Sequence, residues 1–250
     1  MTGCTAAAPV PLLLLPGLMC DGAVWQPQID ALDAAVRPCV ADYGHADSLA
    51  TMARRALQQA DAAGLTGPLA VAGHSMGGRV ALELWRLAPQ RVARLALLDT
   101  GVHPLPAGEA GAQEREGRMA LVRQALTEGM RPMARVWARG MVHPDHLAAP
   151  LFTAVLQMLD RCPPSRFAAQ QQALLNRPDA SGQLASIAVP TLVLCGAQDH
   201  WSPPAQHEAM ARALPAKAQP RLVVVPDAGH MVTLEAPAAV TAALRDWLIA

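Results

Sequence analysis

The feature that most constrains the fold is the alternation of short apolar segments with helical ones along the 250-residue chain. Six runs of four to six mainly apolar residues are each followed by Gly, Pro or Asp, a pattern typical of parallel strands buried on both faces. Helical spacing between the runs indicates an α/β fold. The predicted strands are 10–15, 36–41, 69–72, 95–98, 191–195 and 222–225, and the predicted core helices are 47–63, 76–87 and 238–249.

One long segment interrupts this alternation. No strand pattern occurs between Leu98 and Thr191, and prolines separate helical segments at 112–128, 132–139, 146–161 and 165–176. A wholly helical insert in a parallel-sheet protein predicts a cap over the sheet and not a second core. The predicted division is therefore an α/β core formed by residues 1–102 and 188–250, with a helical cap at 103–187.

Charge and cysteine content restrict the possible partners. Twenty basic and twenty acidic residues cancel, and no basic run occurs, which argues against nucleic acid or an anionic membrane as partner. No stretch approaches the ~20 apolar residues of a membrane span, and the first residues lack the basic segment of a signal peptide. The cysteines are widely spaced, which argues against disulfides or structural zinc and predicts reduced thiols in the cytoplasm. They are Cys4, Cys20, Cys39, Cys162 and Cys195.

The sequence Gly73-His74-Ser75-Met76-Gly77 lies where the third predicted strand turns into a helix. A turn this tight leaves no room for side chains two residues before and two residues after the serine, which explains the two glycines. The serine then projects from the strand end, above the positive end of the helix dipole. This context predicts a nucleophile at Ser75, with His74 only filling the turn.

A serine nucleophile needs a base and an acid that orients the base. His230 lies in the loop after the last predicted strand, at the sheet edge where Ser75 also emerges. Asp99 and Asp199 each follow a strand, and Asp199 is the preferred acid because its strand adjoins the one before His230. The order Ser75, Asp199, His230 is the order that accompanies this kind of turn.

An oxyanion intermediate would require two N–H donors. The backbone N–H of Met76, at the helix start, is one candidate. The other is Leu18, in the loop after the first strand, because Pro16 has no N–H. The pair His143 and His146 is separated by a proline and lacks a third ligand, so it is interpreted as part of a cap loop and not as a metal site.

Taken together, these motifs resemble the α/β-hydrolase family, in its small single-chain branch with a helical cap. The resemblance rests on four ordered motifs: Pro16-Gly17, Gly73 to Gly77, Gly196 to Asp199, and Gly229-His230. Two departures stand out. Pro16 replaces the usual histidine, so the loop after the first strand must be braced differently. Only nine residues precede Val10, so we expect six core strands, with 36–41 at an exposed edge.

The resemblance and the serine imply hydrolysis of a small or medium carboxylic ester through an acyl-enzyme, without a metal or an organic cofactor. Enol-lactonase or C–C hydrolase or lyase activity on a carboxylate-bearing substrate remains an alternative, as does a non-catalytic ligand receptor. Arg79, Arg118 or Arg123 could bind such a carboxylate, although a surface salt bridge is the expected role of each. The substrate and the oligomeric state stay open. The predicted pocket walls are Met19, Trp25, Trp137, Phe152, Trp201 and Met231.

Overall fold

A computed structural model of the protein describes residues 8–249. Predictions about the first residues, including the state of Cys4, lie outside the described residues, and the four described cysteines are unpaired. The described strands are β1 (Val10–Leu15), β2 (Val36–Val40), β3 (Leu69–His74), β4 (Val92–Leu98), β5 (Thr191–Gly196) and β6 (Arg221–Val225). These six parallel strands form one sheet in the order β2-β1-β3-β4-β5-β6. The fold class and the edge position of β2 are confirmed.

The helices that alternate with these strands pack on the sheet because each presents an apolar face. They are α1 (Gln26–Leu32), α2 (Leu49–Ala62), α3 (Met76–Leu87), α8 (Pro204–Ala213), α9 (Val232–Glu235) and α10 (Pro237–Ile249). Helix α2 packs on α3, α1 packs on α10, and α8 packs on β5 and β6. Ser48 caps α2 by accepting a hydrogen bond from the Thr51 N–H, so the helix begins two residues later than predicted.

Helices α1 and α8 had no counterpart in the sequence-based prediction. Each begins with a proline in its first turn, a position where the missing N–H costs nothing. Both are short, with seven and ten residues, and an apolar stripe over so few turns gives a weak periodic signal. The prolines at the starts of these two helices are also typical of loops, so the sequence did not predict the helices.

The segment between β4 and β5 is helical, without a strand among its described residues. Its second helix begins two residues before the predicted start, and its third begins four residues after it, because Pro144 to His146 form a separate 3-10 turn. The division into a core and a cap at 103–187 stays a prediction. The inserted helices are α4 (Gly108–Glu128), α5 (Met130–Trp137), α6 (Pro150–Asp160) and α7 (Pro164–Leu175).

The central strands β1, β3, β4 and β5 are almost wholly buried, whereas the edge strands β2 and β6 are partly exposed. All six strands run in the same direction, so their carboxyl ends meet at one edge of the sheet, and the inserted helices follow from that edge. No helix among residues 8–249 is both long and apolar enough to cross a membrane.

Candidate active site

Ser75 occupies a strained turn between β3 and α3. Its φ of 54° and ψ of −118° lie in a region that non-glycine residues rarely adopt. A Cβ atom on Gly73 would lie 2.3 Å from the carbonyl oxygen of Gly77, and one on Gly77 would lie 2.0 Å from that of Leu15. Only glycine fits at either position. The turn therefore places Ser75 at the carboxyl edge of the sheet, facing a cavity.

A continuous hydrogen-bonded chain links Ser75, His230 and Asp199. The Ser75 hydroxyl oxygen lies 2.7 Å from His230 Nε2, and His230 Nδ1 lies 2.8 Å from one carboxylate oxygen of Asp199. The other oxygen of Asp199 accepts the backbone N–H groups of Trp201 and Ser202, both at 2.9 Å. His230 can thus accept the serine proton at Nε2 while Nδ1 donates to a fixed carboxylate.

The surroundings of Asp199 keep it ionised at neutral pH. Burial alone raises the pKa of this carboxyl. The facing His230 and the N–H groups of Ser202 and Trp201 outweigh that effect, and the pKa stays below its ordinary value. A carboxylate at this point stabilises the positive charge that His230 acquires when it takes a proton.

Asp99, the alternative acid, holds neighbouring loops together. Its two carboxylate oxygens accept the N–H groups of Gly196 at 3.0 Å and Val232 at 3.2 Å, and its side chain is fully buried. The nearest ring nitrogen is Nε2 of His74, at 3.6 Å. Asp99 therefore joins the ends of β4 and β5 to the start of α9, whereas Asp199 contacts His230.

The two expected N–H donors lie beside Ser75. Leu18 and Met76 both line the cavity with Ser75. Met76 is the first residue of α3, where a helical N–H has no partner within the helix. The neighbouring N–H of Met19 is already engaged, since it donates to the side-chain oxygen of Gln170 on α7 at 2.8 Å. Leu18 and Met76 therefore stay the predicted donors to an oxyanion.

His74 does more than fill the turn. Its Nε2 donates to the backbone carbonyl oxygen of His230 at 2.7 Å, and its ring lies where a side chain on Gly17 would have to pass. Tyr43 supplies the other brace, because its hydroxyl donates to the carbonyl oxygen of Pro16 at 3.1 Å. These contacts fix the loop in which the family's usual histidine is absent.

The cavity above Ser75 has a volume of about 660 Å³. Trp137 on α5 stacks on Trp201 with ring centres 4.7 Å apart, and Trp201 lies 5.0 Å from the ring centre of His230. These two tryptophans line the cavity, as the sequence predicted. The other four predicted walls do not, because they pack into or against the apolar core. These four corrections concern Met19, Trp25, Phe152 and Met231.

Cys20 also lines the cavity but offers no rival nucleophile. Burial, followed by the charge on Asp21, raises the pKa of the Cys20 thiol to about 12. The thiol therefore stays protonated at neutral pH, and a protonated thiol is a poor nucleophile.

Known proteins resemble this chain in sequence and in fold. The model of the alpha/beta hydrolase family matches residues 12–244, nearly the whole chain. The chain belongs to the α/β-hydrolase family. It is 31% identical to a protein of Azorhizobium caulinodans named "Putative carbamate hydrolase RutD", over 83% of this chain and 80% of that protein.

Two solved structures share the fold of this α/β hydrolase. A thermophilic esterase from Thermogutta terrifontis, solved with malate bound, has 30% identity and a TM-score of 0.86, covering 97% of this chain and 90% of its own. The enol-lactonase from Burkholderia xenovorans has 24% identity and a TM-score of 0.83, covering 99% of this chain and 94% of its own. The second likeness concerns the fold alone.

In this α/β hydrolase, a buried glutamate ties the loop that carries His230 to the inserted segment. One carboxylate oxygen of Glu235 accepts the N–H groups of Gly229 and Met231 at 2.9 and 3.0 Å. The other accepts the N–H of His143 at 2.6 Å and contacts Nδ1 of His146 at 2.8 Å. The Glu235 side chain is fully buried, so its charge depends on these four donors. Sequence reasoning missed this residue.

We expect Glu235→Gln to lower the free energy of unfolding by about 2–4 kcal/mol and to lower kcat as well. The amide would present an N–H group to backbone donors, leaving buried groups unpaired. Thermal unfolding measures the first effect and ester turnover the second. Glu116→Gln is the matched control, because Glu116 is exposed on α4 and its one ion-pair partner among residues 8–249 is the exposed Arg123. Equal stability of the two variants would contradict the role of Glu235.

Proposed function

We propose that the protein hydrolyses carboxylic esters of small or medium size through an acyl-enzyme on Ser75. His230 Nε2 takes the Ser75 proton as the hydroxyl oxygen bonds to the ester carbonyl carbon. The same proton then passes to the leaving alkoxide, which departs as the alcohol. A water molecule gives a proton to His230 and attacks the acyl group. The acid leaves, and the proton returns to Ser75.

The observation that carries this proposal is the unbroken contact from Ser75 through His230 to Asp199, at 2.7 and 2.8 Å, beside a cavity. His230 contacts the nucleophile through one ring nitrogen and the acid through the other. The N–H groups of Leu18 and Met76 would stabilise the negative charge on the carbonyl oxygen in the tetrahedral intermediate. In this mechanism the protein supplies the nucleophile, the base and the oxyanion donors, and the ester and water are the substrates.

The size of the cavity sets the expected range of substrates. About 660 Å³ suits a small molecule, within the usual 300–1,000 Å³ of ligand pockets. Each buried methylene contributes roughly 0.8 kcal/mol, so kcat/KM should rise with acyl length until the cavity is filled. Longer chains would extend into solvent and gain nothing.

We therefore expect a series of p-nitrophenyl esters from acetate to palmitate to give the highest kcat/KM at a short or medium acyl chain. Initial rates along the series, with and without a lipid interface, measure this dependence on acyl length. A maximum at palmitate, or strong activation by the interface, would indicate a lipase.

Other outcomes separate the remaining functions. Labelling of Ser75 by a fluorophosphonate without turnover of any linear ester would favour a lactonase or C–C hydrolase. No labelling and no turnover would favour a ligand receptor. The likeness to the "Putative carbamate hydrolase RutD" proteins adds carbamate as a second substrate class, since the same attack on a carbonyl carbon would cleave it. An assay of an ester and a carbamate that share the same leaving group shows which of the two substrate classes the protein prefers.

A further inference from the structure

Three arginines line the cavity. Arg79 lies on α3, Arg118 on α4, and Arg177 follows α7. Glu114 also lines the cavity and pairs with Arg118 and Arg177. The other lining carboxylate, Asp99, is bonded to backbone N–H groups. Three positive charges therefore share one negative charge, whereas a purely structural cluster would balance them.

Arg177 is the main ion-pair partner of Glu114. Its Nη1 and Nη2 donate to the two carboxylate oxygens at 2.8 and 2.9 Å, a bidentate pair. Its remaining N–H groups donate to the backbone carbonyl oxygens of His103, Pro104 and Leu174. Arg177 is thus fully bonded and holds the ends of the inserted segment together.

Arg79 and Arg118 keep donors to spare. Among the hydrogen bonds of residues 8–249, Arg79 makes one, from Nη1 to the carbonyl oxygen of His103 at 2.9 Å. Arg118 makes two, from Nε to Glu114 and from Nη1 to Gln171, both at 2.8 Å. The spare groups are Nε and Nη2 of Arg79 and Nη2 of Arg118. Both side chains line the cavity. Arg118 forms the expected salt bridge, with Glu114, whereas Arg79 donates to a backbone carbonyl oxygen instead.

The electrostatic surroundings disfavour the charge on Arg79. Burial lowers the pKa of Arg79 to about 9, and the like charges on Arg177 and Arg118 act in the same direction. Glu114 opposes them only in part. A guanidinium in such a place gains most from an anion that enters the cavity. Arg123, the third arginine considered from the sequence, pairs with Glu116 at the surface and does not line the cavity.

We propose that Arg79 and Arg118 bind a free carboxylate on the substrate, which makes the substrate a monoester of a short dicarboxylic acid. This inference rests on the proposed ester hydrolysis. Arg79 is four residues beyond Ser75, about 6 Å along the axis of α3, so both ends of one small molecule can be held at once. A planar guanidinium suits a carboxylate because two parallel N–H groups meet two oxygens.

The test compares the hydrolysis of methyl hydrogen glutarate with that of its neutral amide analogue, methyl 4-carbamoylbutanoate. The acid that each ester releases is measured by titration. We expect kcat/KM to be at least about tenfold higher for the anionic ester. In Arg79→Gln the loss for the anionic ester should exceed the loss for the amide analogue by about 10- to 100-fold, the range for hydrogen bonds to charged groups. Arg123→Gln is the matched control and should change neither value.

Equal losses on both substrates in Arg79→Gln, or preference for the neutral ester, would overturn the carboxylate site and leave ester hydrolysis standing. Calorimetric measurement of glutarate binding to the Ser75→Ala variant separates the carboxylate site from ester hydrolysis. Arg79-dependent binding without turnover of either ester would support the site and reject ester hydrolysis. Neither binding nor turnover would reject both.

Discussion

Ser75→Ala is expected to lower kcat for ester hydrolysis by at least about 10³-fold, with a stability close to that of the parent protein. The groups of such a triad act as a unit, so removal of the nucleophile removes nearly all of their shared effect. The Ser75 hydroxyl contacts His230 at the cavity wall, so its loss leaves the core packing intact. Steady-state rates on the best p-nitrophenyl ester and a thermal unfolding curve measure both quantities.

Covalent labelling gives an independent check on the same residue. A fluorophosphonate should form one adduct, on the peptide that contains Ser75, and mass spectrometry would locate it. Ser202 also lines the cavity and is the matched control, because its backbone N–H is bonded to Asp199 and no base contacts its hydroxyl among the described residues. An adduct on Ser202, or near-parental activity in Ser75→Ala, would contradict the proposed nucleophile.

Asp199→Asn is expected to lower kcat by about 10⁴-fold, the loss seen for the matching change in the serine-protease triad. Asparagine fits the same space but can donate to Nδ1 of His230, which favours the tautomer with its proton on Nε2. That proton would face Ser75, and His230 could no longer act as the base. Comparison of kcat for the two proteins at one pH measures the effect.

Asp99→Asn is the control that distinguishes the two acids. Asp99 bonds backbone N–H groups of Gly196 and Val232, so its amide should lower the melting temperature while kcat stays within about tenfold of the parent value. If Asp99→Asn removed more activity than Asp199→Asn in a folded protein, the acid would be misassigned.

The positions at the sheet edge could be predicted because each residue lies in the connection that follows a strand: Ser75 directly after β3, Asp199 three residues after β5 and His230 five residues after β6. In a parallel sheet, the residues after the strands meet at one edge, so Ser75, Asp199 and His230 were expected to lie together before any packing was known. The sequence motifs around these residues predicted their roles and their order along the chain. Their mutual distances could not be predicted, because Asp199 and His230 lie in loops whose shapes depend on side-chain contacts such as those of Asp99 and Glu235.

The pocket walls could not be predicted in the same way. An apolar side chain such as Trp25 suits a core as well as a cavity, and composition does not distinguish the two. Trp25 and Met231 became core, whereas Trp137 and Trp201 face the cavity. The choice depends on how the helices pack, and helix packing is set by contacts distant in sequence.

The buried polar contacts of Gln170 and Glu235 were not predicted, for a related reason. Gln170 meets the N–H of Met19 across 151 positions of sequence, and Glu235 meets His143 across 92. Neither residue stood out in the sequence, because a glutamine within a helix and a glutamate at a helix end are usually solvated. The signal that could have found Glu235 is its place five residues after His230, where a carboxylate can fold back onto the N–H groups of its own loop.

The contacts of Glu235 also bear on how a protein of this kind can diverge. A change of substrate range is easiest when the inserted segment can vary freely above a constant sheet. Here the segment that shapes the cavity and the loop that carries His230 share one buried carboxylate, so the two must co-evolve. New specificities should therefore arise by substitution on α4 and α5, and wholesale replacement of the segment would require a matching replacement of residues 229–235.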